Sequence, residues 1–178
     1  MKLTPAAMLN KDEIQRMIEA AGNPQNRFLV SLLFDSFLRL TELINLTWKD
    51  ILIENSGIVV SIAGITGDSR KIWCMNSKGH CLDWKNEYLL DPNGEGLVFV
   101  SSCGKPLTYH ALKARINRIV RRAGIEKNVS PSLCRNSGII DLLRRGIPET
   151  AIRMQGWGNS ITTMLVSYIE PLNRGTLQ

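Results

Sequence analysis

The residues of this chain that could carry out chemistry together are two arginines, a tryptophan and a tyrosine. They occur as Arg39 in FLRLTEL, Arg135 in SPSLCRNSG, Trp157 in the pair Gly156-Trp157, and Tyr168 in MLVSYIEP. A tyrosine phenol can attack phosphorus and hold it in a covalent intermediate. Guanidiniums donate paired hydrogen bonds to phosphate oxygens and stay charged at any working pH, and an indole N–H adds one donor. The set predicts a phosphate-handling site with Tyr168 as its nucleophile.

The composition is that of one ordinary globular domain. The chain has 178 residues, of which 44% are hydrophobic and 21% charged, with a formal charge of +6 and a pI of about 9.4. This length suits one domain with a sizeable core. A basic balance permits nucleic-acid binding without establishing it. No apolar run approaches the ~20 residues of a membrane span, and the first residues lack a signal-peptide core, so we expect a cytoplasmic protein.

The four cysteines do not form a recognisable metal site. They are Cys74, Cys81, Cys103 and Cys134, no two of them are spaced as C-x-x-C, and only two histidines could join them as ligands. Structural zinc sites use closely paired cysteines and histidines. We therefore expect no metal or other cofactor, and reduced, mostly buried thiols as in other cytosolic proteins.

Hydrophobic periodicity divides the first hundred residues into helices and a β-hairpin. Apolar spacing predicts helices over 11–22 and 25–39, a short helix in TELINL with Thr41 as its N-cap, and a further helix over 81–90. The β-branched and aromatic runs 57–63 and 70–76, separated by the turn residues GITGDS, predict a hairpin, and LVFV at 97–100 predicts a brief strand.

A basic helix is predicted over 108–123. Leu112, Ile116, Ile119 and Ala123 form its buried stripe, whereas Arg115, Arg118 and Arg122 share an outward face flanked by Lys113 and Arg121. Since this face carries no acidic residue, we expect Lys113, Arg115, Arg118 and Arg122 to face the phosphates of a polyanion; a plain solvated face is the alternative. Further helices are predicted over 132–145, 148–155 and 160–169, which gives a mainly α fold with a small antiparallel β-sheet (α+β).

The order of these elements and of four short words resembles the catalytic domain of tyrosine recombinases, the phage integrase family. Arg39 in FLRLTEL matches the arginine of the family word GLRxSEL, and Arg135 in SLCRN matches that of HxLRH. Gly156-Trp157 matches a GH or GW word, and Tyr168 matches the nucleophilic tyrosine. The resemblance covers essentially the whole chain. The spacing from Trp157 to Tyr168 is most similar to integrases of archaea and their mobile elements.

The resemblance implies a site-specific recombinase that cleaves and rejoins double-stranded DNA through a 3′-phosphotyrosine, without metal or cofactor. It implies a monomer in the free state, a dimer or tetramer on DNA, and a Glu42 that buttresses Arg39. The alternatives left open are a plain ion pair between Arg39 and Glu42, a surface Arg135, a core Trp157 and a packing Tyr168. The first family word, which contains Arg39, begins close to Met1. We therefore expect residues 1–178 to be a single catalytic domain without the N-terminal core-binding domain of full-length relatives. Such a chain would be either an excised domain or a natural short protein.

Two departures from the family pattern concern proton transfer. Ile65 stands where the family carries a catalytic lysine, and Ser132 stands where HxLRH has its first histidine. Neither side chain is a useful acid or base near neutral pH. Arg70 or Lys71, further along the hairpin, could reach in from the next strand. Because a lysine is the better acid of the two, Lys71 is the predicted substitute, with a plain surface lysine of the strand as the alternative. The departures also motivate a second hypothesis, a catalytically degenerate integrase-like module that only binds DNA.

Overall fold

A computed structural model describes residues 8–63, 69–91 and 93–157. Within these ranges the chain forms seven α-helices, a 3₁₀ turn at Trp48–Asp50 and three β-strands. The helices are α1 (Lys11–Glu19), α2 (Pro24–Asp35), α3 (Leu40–Asn45), α4 (Lys78–Glu87), α5 (Tyr109–Arg122), α6 (Pro131–Arg144) and α7 (Glu149–Trp157). The strands are β1 (Ile51–Glu54), β2 (Gly57–Ala63) and β3 (Ser69–Cys74). The helix predicted over 160–169, which includes Tyr168, lies outside the described residues.

The sheet is antiparallel with the strand order β1-β2-β3. β2 and β3 form the predicted hairpin, in which Val60 pairs with Ile72 and Ile58 with Cys74. The sequence does not predict β1, which pairs with β2 through Ile51 opposite Val60. Its four residues alternate between half-buried and exposed, and so short a run offers little periodicity to detect. Among the residues that the structure describes, β1 and β3 are the edge strands.

The strand predicted over 97–100 is wrong. The two ends of this segment make only isolated bridges, to Thr47 and Pro106. Phe99 within it is fully buried. Its apolar character therefore reflects burial in the core and not membership of a β-ladder.

Four of the helices begin at side-chain caps, and the bounds of the helices lie within a few residues of the predicted ones. Asn10, Asn23, Thr108 and Ser130 each accept a hydrogen bond from a backbone N–H of the first turn that follows. α2 ends at Asp35, four residues before its predicted end, and α4 starts three residues before its predicted start. The prediction of Thr41 as the N-cap of α3 is wrong, because Arg39 occupies the N-cap position.

Helix α2 lies at the centre of the core. Phe28, Leu29, Leu32 and Leu33 are fully buried on it, and the helix packs against α1, α4 and α6. The ring of Phe28 meets that of Phe99 at a centroid distance of 5.6 Å. Burying a side chain of this size stabilises the fold by roughly 1.5–3 kcal/mol. α2 is therefore the scaffold on which neighbouring elements are fixed.

The thiols are mostly buried, as predicted. Cys74, Cys81 and Cys134 are buried and free, whereas Cys103 is exposed. Burial raises the pKa of Cys81 to about 12 and that of Cys134 to about 12, so both stay protonated thiols at neutral pH. No helix within the described ranges is long and apolar enough to span a membrane.

Candidate active site

Arg39 follows a sharp turn at the end of α2. Phe37, two residues before it, has a positive φ of 57° although it is not glycine. This left-handed backbone conformation is costly for a residue with a Cβ and persists only where packing enforces it. The side chain of Phe37 is buried, which supplies that packing. The turn presents Arg39 in extended conformation, with an exposed side chain, at the start of α3.

Glu42 connects this turn to the hairpin. One carboxylate oxygen accepts a hydrogen bond of 2.7 Å from the backbone N–H of Arg39. The other accepts from Nη2 of Arg70 on β3, at 2.8 Å. In the part of the chain that the structure describes, the guanidinium of Arg39 forms no ion pair. Glu42 therefore buttresses the backbone of Arg39 and not its guanidinium, and the alternative of a plain Arg39–Glu42 ion pair is not what forms.

Lys71 lies on the other face of the hairpin from Arg70. Successive side chains of a strand point to opposite faces of a sheet. Along β3, Lys71 and Trp73 are exposed, whereas Ile72 is buried and Arg70 is half-buried. The structure thus brings Arg70, and not Lys71, to Glu42. The region around Ile65 lies outside the described residues.

Arg135 is a half-buried residue in the first half of α6. One turn further along, Gly138 packs directly on the end of α2, because a Cβ at this position would overlap the carbonyl oxygen of Phe34. Only glycine allows so close an approach of two backbones. Ser132, in the first turn of α6, is exposed. The helix that carries Arg135 is therefore fixed to the segment that leads into Arg39.

Gly156, at the end of α7, also packs on that segment. A Cβ built on it would stand 3.8 Å from Cβ of Phe37, and Gly156 itself is buried. Trp157 is the last residue of α7; its side chain, like Tyr168, lies outside what the structure describes. Gly138, three residues after Arg135, and Gly156, of the Gly156-Trp157 word, thus pack on residues 34–37, where the word FLRLTEL begins.

Asp35, which no motif in the sequence singles out, holds the segment after β3 against the end of α2. Its carboxylate accepts hydrogen bonds from the backbone N–H and side-chain amide of Asn76, and from the backbone N–H and hydroxyl of Ser77. Burial raises the pKa of Asp35 above its ordinary value, although these four donors oppose the shift. The bonds tie the β3–α4 connection to the end of α2. An acidic residue at a helix C-terminus, where the dipole disfavours it, is the signal in the sequence.

The basic helix α5 is confirmed, with Leu112, Ile116 and Ile119 buried. Its basic residues are not equivalent. Lys113, Arg118, Arg121 and Arg122 are exposed, but Arg115 is half-buried.

The guanidinium of Arg115 donates to the side-chain oxygen of Gln25 and to the carbonyl oxygen of Val100. Burial, and then the neighbouring charge of Arg118, lower the pKa of Arg115 below its ordinary value. Arg118, Arg121 and Asn117 line a shallow depression beside it. The exposed face of α5 is thus a positively charged surface anchored at one edge by Arg115.

Known proteins match this chain along most of its length. A sequence model of the phage integrase family matches residues 7–173. The tyrosine recombinase XerC of Xanthomonas axonopodis pv. citri is 25% identical over 174 residues, which are 92% of this chain and 54% of that protein.

Solved structures show the same fold. The crystal structure of XerA recombinase aligns with a TM-score of 0.74 and 25% identity, over 90% of this chain and 59% of that one. XerH site-specific recombinase bound to its difH substrate, in a pre-cleavage complex, aligns with a TM-score of 0.75 and 19% identity, over 97% of this chain and 54% of that one. The chain spans about half the length of the curated relatives it matches.

Proposed function

This chain belongs to the phage integrase family, and from that premise we propose that it is the catalytic domain of a site-specific DNA recombinase. Its reaction is metal-free cleavage and rejoining of a DNA strand through a covalent link between Tyr168 and a 3′ phosphate. Arg39, Arg135 and Trp157 are the proposed phosphate-binding residues of this reaction.

The observation that carries the proposal is that the helix of Arg135 and the Gly156-Trp157 word both pack on residues 34–37, where the word of Arg39 begins. Gly138, one turn after Arg135, packs on the backbone of Phe34, and Gly156, next to Trp157, packs on Phe37. Arg39 follows this segment directly. If these positions were unrelated parts of the surface, we would not expect them to pack on one short segment of backbone. The packing supports a shared site for the two arginines.

The proposed chemistry follows from the residue types. The phenol of Tyr168 gives up its proton to water as its oxygen attacks the phosphorus, the bond from phosphorus to the 5′ oxygen breaks, and that oxygen takes up a proton from the general acid. Attack by a 5′ hydroxyl on the phosphotyrosine reverses the steps and joins a strand. Arg39 and Arg135 neutralise the charge on the non-bridging oxygens as the transition state forms, which is the main source of rate in phosphoryl transfer. Lys71 stays the proposed proton donor to the 5′ oxygen.

Double-stranded DNA is the proposed substrate. XerH, whose fold this chain shares, was crystallised with its DNA substrate. We assign the phosphate contacts to Lys113, Arg115, Arg118 and Arg122 on α5, because a basic helix with no acidic residue in its sequence suits a polyanion. Arg115, whose guanidinium already bonds to Gln25 and Val100, would both hold the helix and face the strand.

We also propose an oligomeric state, an origin and a cellular location for this protein. Exchange of strands between two sites requires at least two cut duplexes, so we place the chain as a monomer when free and as a dimer or tetramer on DNA. The spacing from Trp157 to Tyr168 is the basis for proposing an archaeal, mobile-element origin. An enzyme acting on such DNA would work in the cytoplasm.

A trapping experiment with randomised DNA tests the function whatever the target sequence is. The full chain is incubated with a pool of duplexes of randomised sequence, each nicked so that the short strand released by cleavage diffuses away and cannot be rejoined. Covalent complexes are isolated under denaturing conditions and sequenced. We expect enrichment of one sequence family by the wild type and no complex from Tyr168→Phe. If neither protein forms a covalent complex although both bind DNA, the degenerate DNA-binding module is the better description, and equal yields from both would assign the nucleophile to another residue.

A further inference from the structure

Glu42 carries one negative charge and serves two partners. Its two oxygens accept separately from the backbone N–H of Arg39 and from the guanidinium of Arg70. The side chains of Arg70 and Glu42 are only 13% and 16% exposed. An ion pair so well shielded from water holds its geometry more firmly than a surface pair does. Both oxygens of the Glu42 carboxylate are therefore held by hydrogen bonds.

Glu42 could also pair with the guanidinium of Arg39, but the structure does not contain this ion pair. Arg39 and Glu42 are three residues apart at the start of a helix, a spacing at which opposite charges readily pair. Such a pair would engage the same guanidinium that the proposed reaction needs for the phosphate. Arg70 instead occupies the second oxygen of Glu42, and the side chain of Arg39 stays exposed.

We infer that Arg70 is a positioning residue that keeps the guanidinium of Arg39 available to the scissile phosphate by neutralising Glu42. This inference rests on the proposed function. Arg70 belongs to β3, so the β2–β3 hairpin supplies the positive charge that neutralises Glu42 beside Arg39. When Arg70 is removed, Glu42 is left half-buried without a counter-ion, and the nearest cation in its own sequence segment is Arg39. The predicted defect is the withdrawal of Arg39 from the phosphate.

Two other roles for Arg70 make different predictions. A purely structural ion pair would cost stability when broken, and the double variant would regain that stability because no shielded carboxylate is left without a counter-ion, but the Arg39 guanidinium would be unaffected in both variants. A direct contact of Arg70 with DNA would weaken binding and reduce its salt dependence. Only the positioning role predicts that the Arg39 guanidinium pairs with Glu42 when Arg70 is lost and is released when Glu42 loses its charge, since a glutamine there can still accept from the Arg39 N–H but attracts no guanidinium.

The test compares Arg70→Gln, Arg70→Lys, and Arg70→Gln combined with Glu42→Gln. The rate of covalent complex formation is measured in a single turnover at saturating nicked duplex, together with the Kd for the same DNA. Arg70→Gln should lower the rate at least about tenfold with little change in Kd. Arg70→Lys should recover much of the rate, and the double variant should exceed Arg70→Gln alone. Lys49→Gln, which breaks an ion pair of 2.8 Å on the exposed surface, is the matched control with unchanged rate.

A second measurement does not depend on catalysis. The ¹⁵N–¹H signals of the Arg39 guanidinium, read in the free protein, should show slowed exchange with water in Arg70→Gln as the new pair with Glu42 forms, and return to the wild-type value in the double variant. A double variant no faster than Arg70→Gln, or Arg39 signals that do not respond, overturns the inference. Absence of any Tyr168-dependent complex in the wild type instead contradicts the proposed function, and the Arg39 signals then decide the inference alone.

Discussion

Gly138 of α6 lies against the carbonyl oxygen of Phe34 at the end of α2, with no room for a Cβ between the two backbones. This contact sets the distance between the helix that carries Arg135 and the turn that carries Arg39. It is a relationship between backbones, so it does not adapt by a change of rotamer. Any residue larger than glycine must separate the two helices.

Gly138→Ala should therefore lower the free energy of unfolding by about 3 kcal/mol, the upper end for overpacking a core. Urea denaturation measures this loss, and covalent complex formation at low temperature, where the variant is folded, should fall as Arg135 shifts. Gly79→Ala on α4 is the matched control, because a Cβ there has nothing within 4 Å. It should be neutral or raise stability by up to about 1 kcal/mol. Equal effects of the two substitutions would contradict the contact.

Lys71 as the proton donor can be separated from Lys71 as a surface residue. Lys71→Ala should slow cleavage of ordinary DNA by about 10²–10⁴-fold, the usual worth of general acid catalysis. A duplex with sulfur in place of the 5′ bridging oxygen releases a thiolate that needs no proton, so wild type and variant should cleave it at similar rates. Ser69→Ala, an exposed side chain on the same strand, controls for the hairpin. A loss that is the same for both substrates, or no loss at all, assigns the proton to another group.

Arg118 and Arg115 should respond differently to neutralisation. Arg118→Gln should reduce the slope of log Kd for duplex DNA against log salt by about one, without changing stability. Arg115→Gln should in addition lower the free energy of unfolding by about 1–3 kcal/mol, because it leaves buried acceptors on Gln25 and Val100 without their donor. Salt titrations of binding and urea titrations of folding measure the two effects. Identical behaviour of the two variants would argue against the anchoring role of Arg115.

Glu13 predicts the acid sensitivity of the fold. Burial alone disfavours its charged form, but hydrogen bonds from Lys127 and from the Asn10 N–H outweigh that effect, and the pKa of Glu13 lies below its ordinary value. The unfolded chain thus binds the proton more tightly than the folded one. The resulting stabilisation is complete above the ordinary value of 4.5 and is lost as the pH falls through the lower pKa of the folded state.

Glu13→Gln should accordingly flatten the dependence of stability on pH below about 5, as measured by urea midpoints across the acid range up to neutrality. Glu19→Gln replaces an exposed carboxylate of the same helix and should leave the slope as it is. A slope that survives in Glu13→Gln shows that other carboxylates set the acid limit.

Features with a local signature were predictable from the sequence, and features that depend on distant partners were not. The stripe of Leu112, Ile116 and Ile119 follows directly from helical periodicity, as does the hairpin from its β-branched runs and turn residues. The end of α2 was not predictable, because residues 36–39 continue the apolar pattern of the helix before them. The positive φ of Phe37 has no local signature, since glycine and asparagine are the usual residues there.

The candidate site divides in the same way. The arginines were identified because their words match a family, but the partner of Glu42 is Arg70, which is 28 residues away and reaches it only through the fold. Arg115 was expected on the outward face, although it lies at the boundary of the buried stripe, where a long side chain can turn inwards to Gln25. Periodicity gives the direction of a Cβ and not the final position of a guanidinium.

The bond from Trp73 to Gln155 has a consequence for the behaviour of the chain at high concentration. The backbone N–H of Trp73 points outwards from edge strand β3. The side-chain oxygen of Gln155 on α7 accepts a hydrogen bond from it at 3.2 Å. Without α7 this edge, beside an indole that is already 50% exposed, would be open and a template for pairing with another chain. We therefore expect α7 to shield this edge, and a chain cut before Glu149 to self-associate through β3.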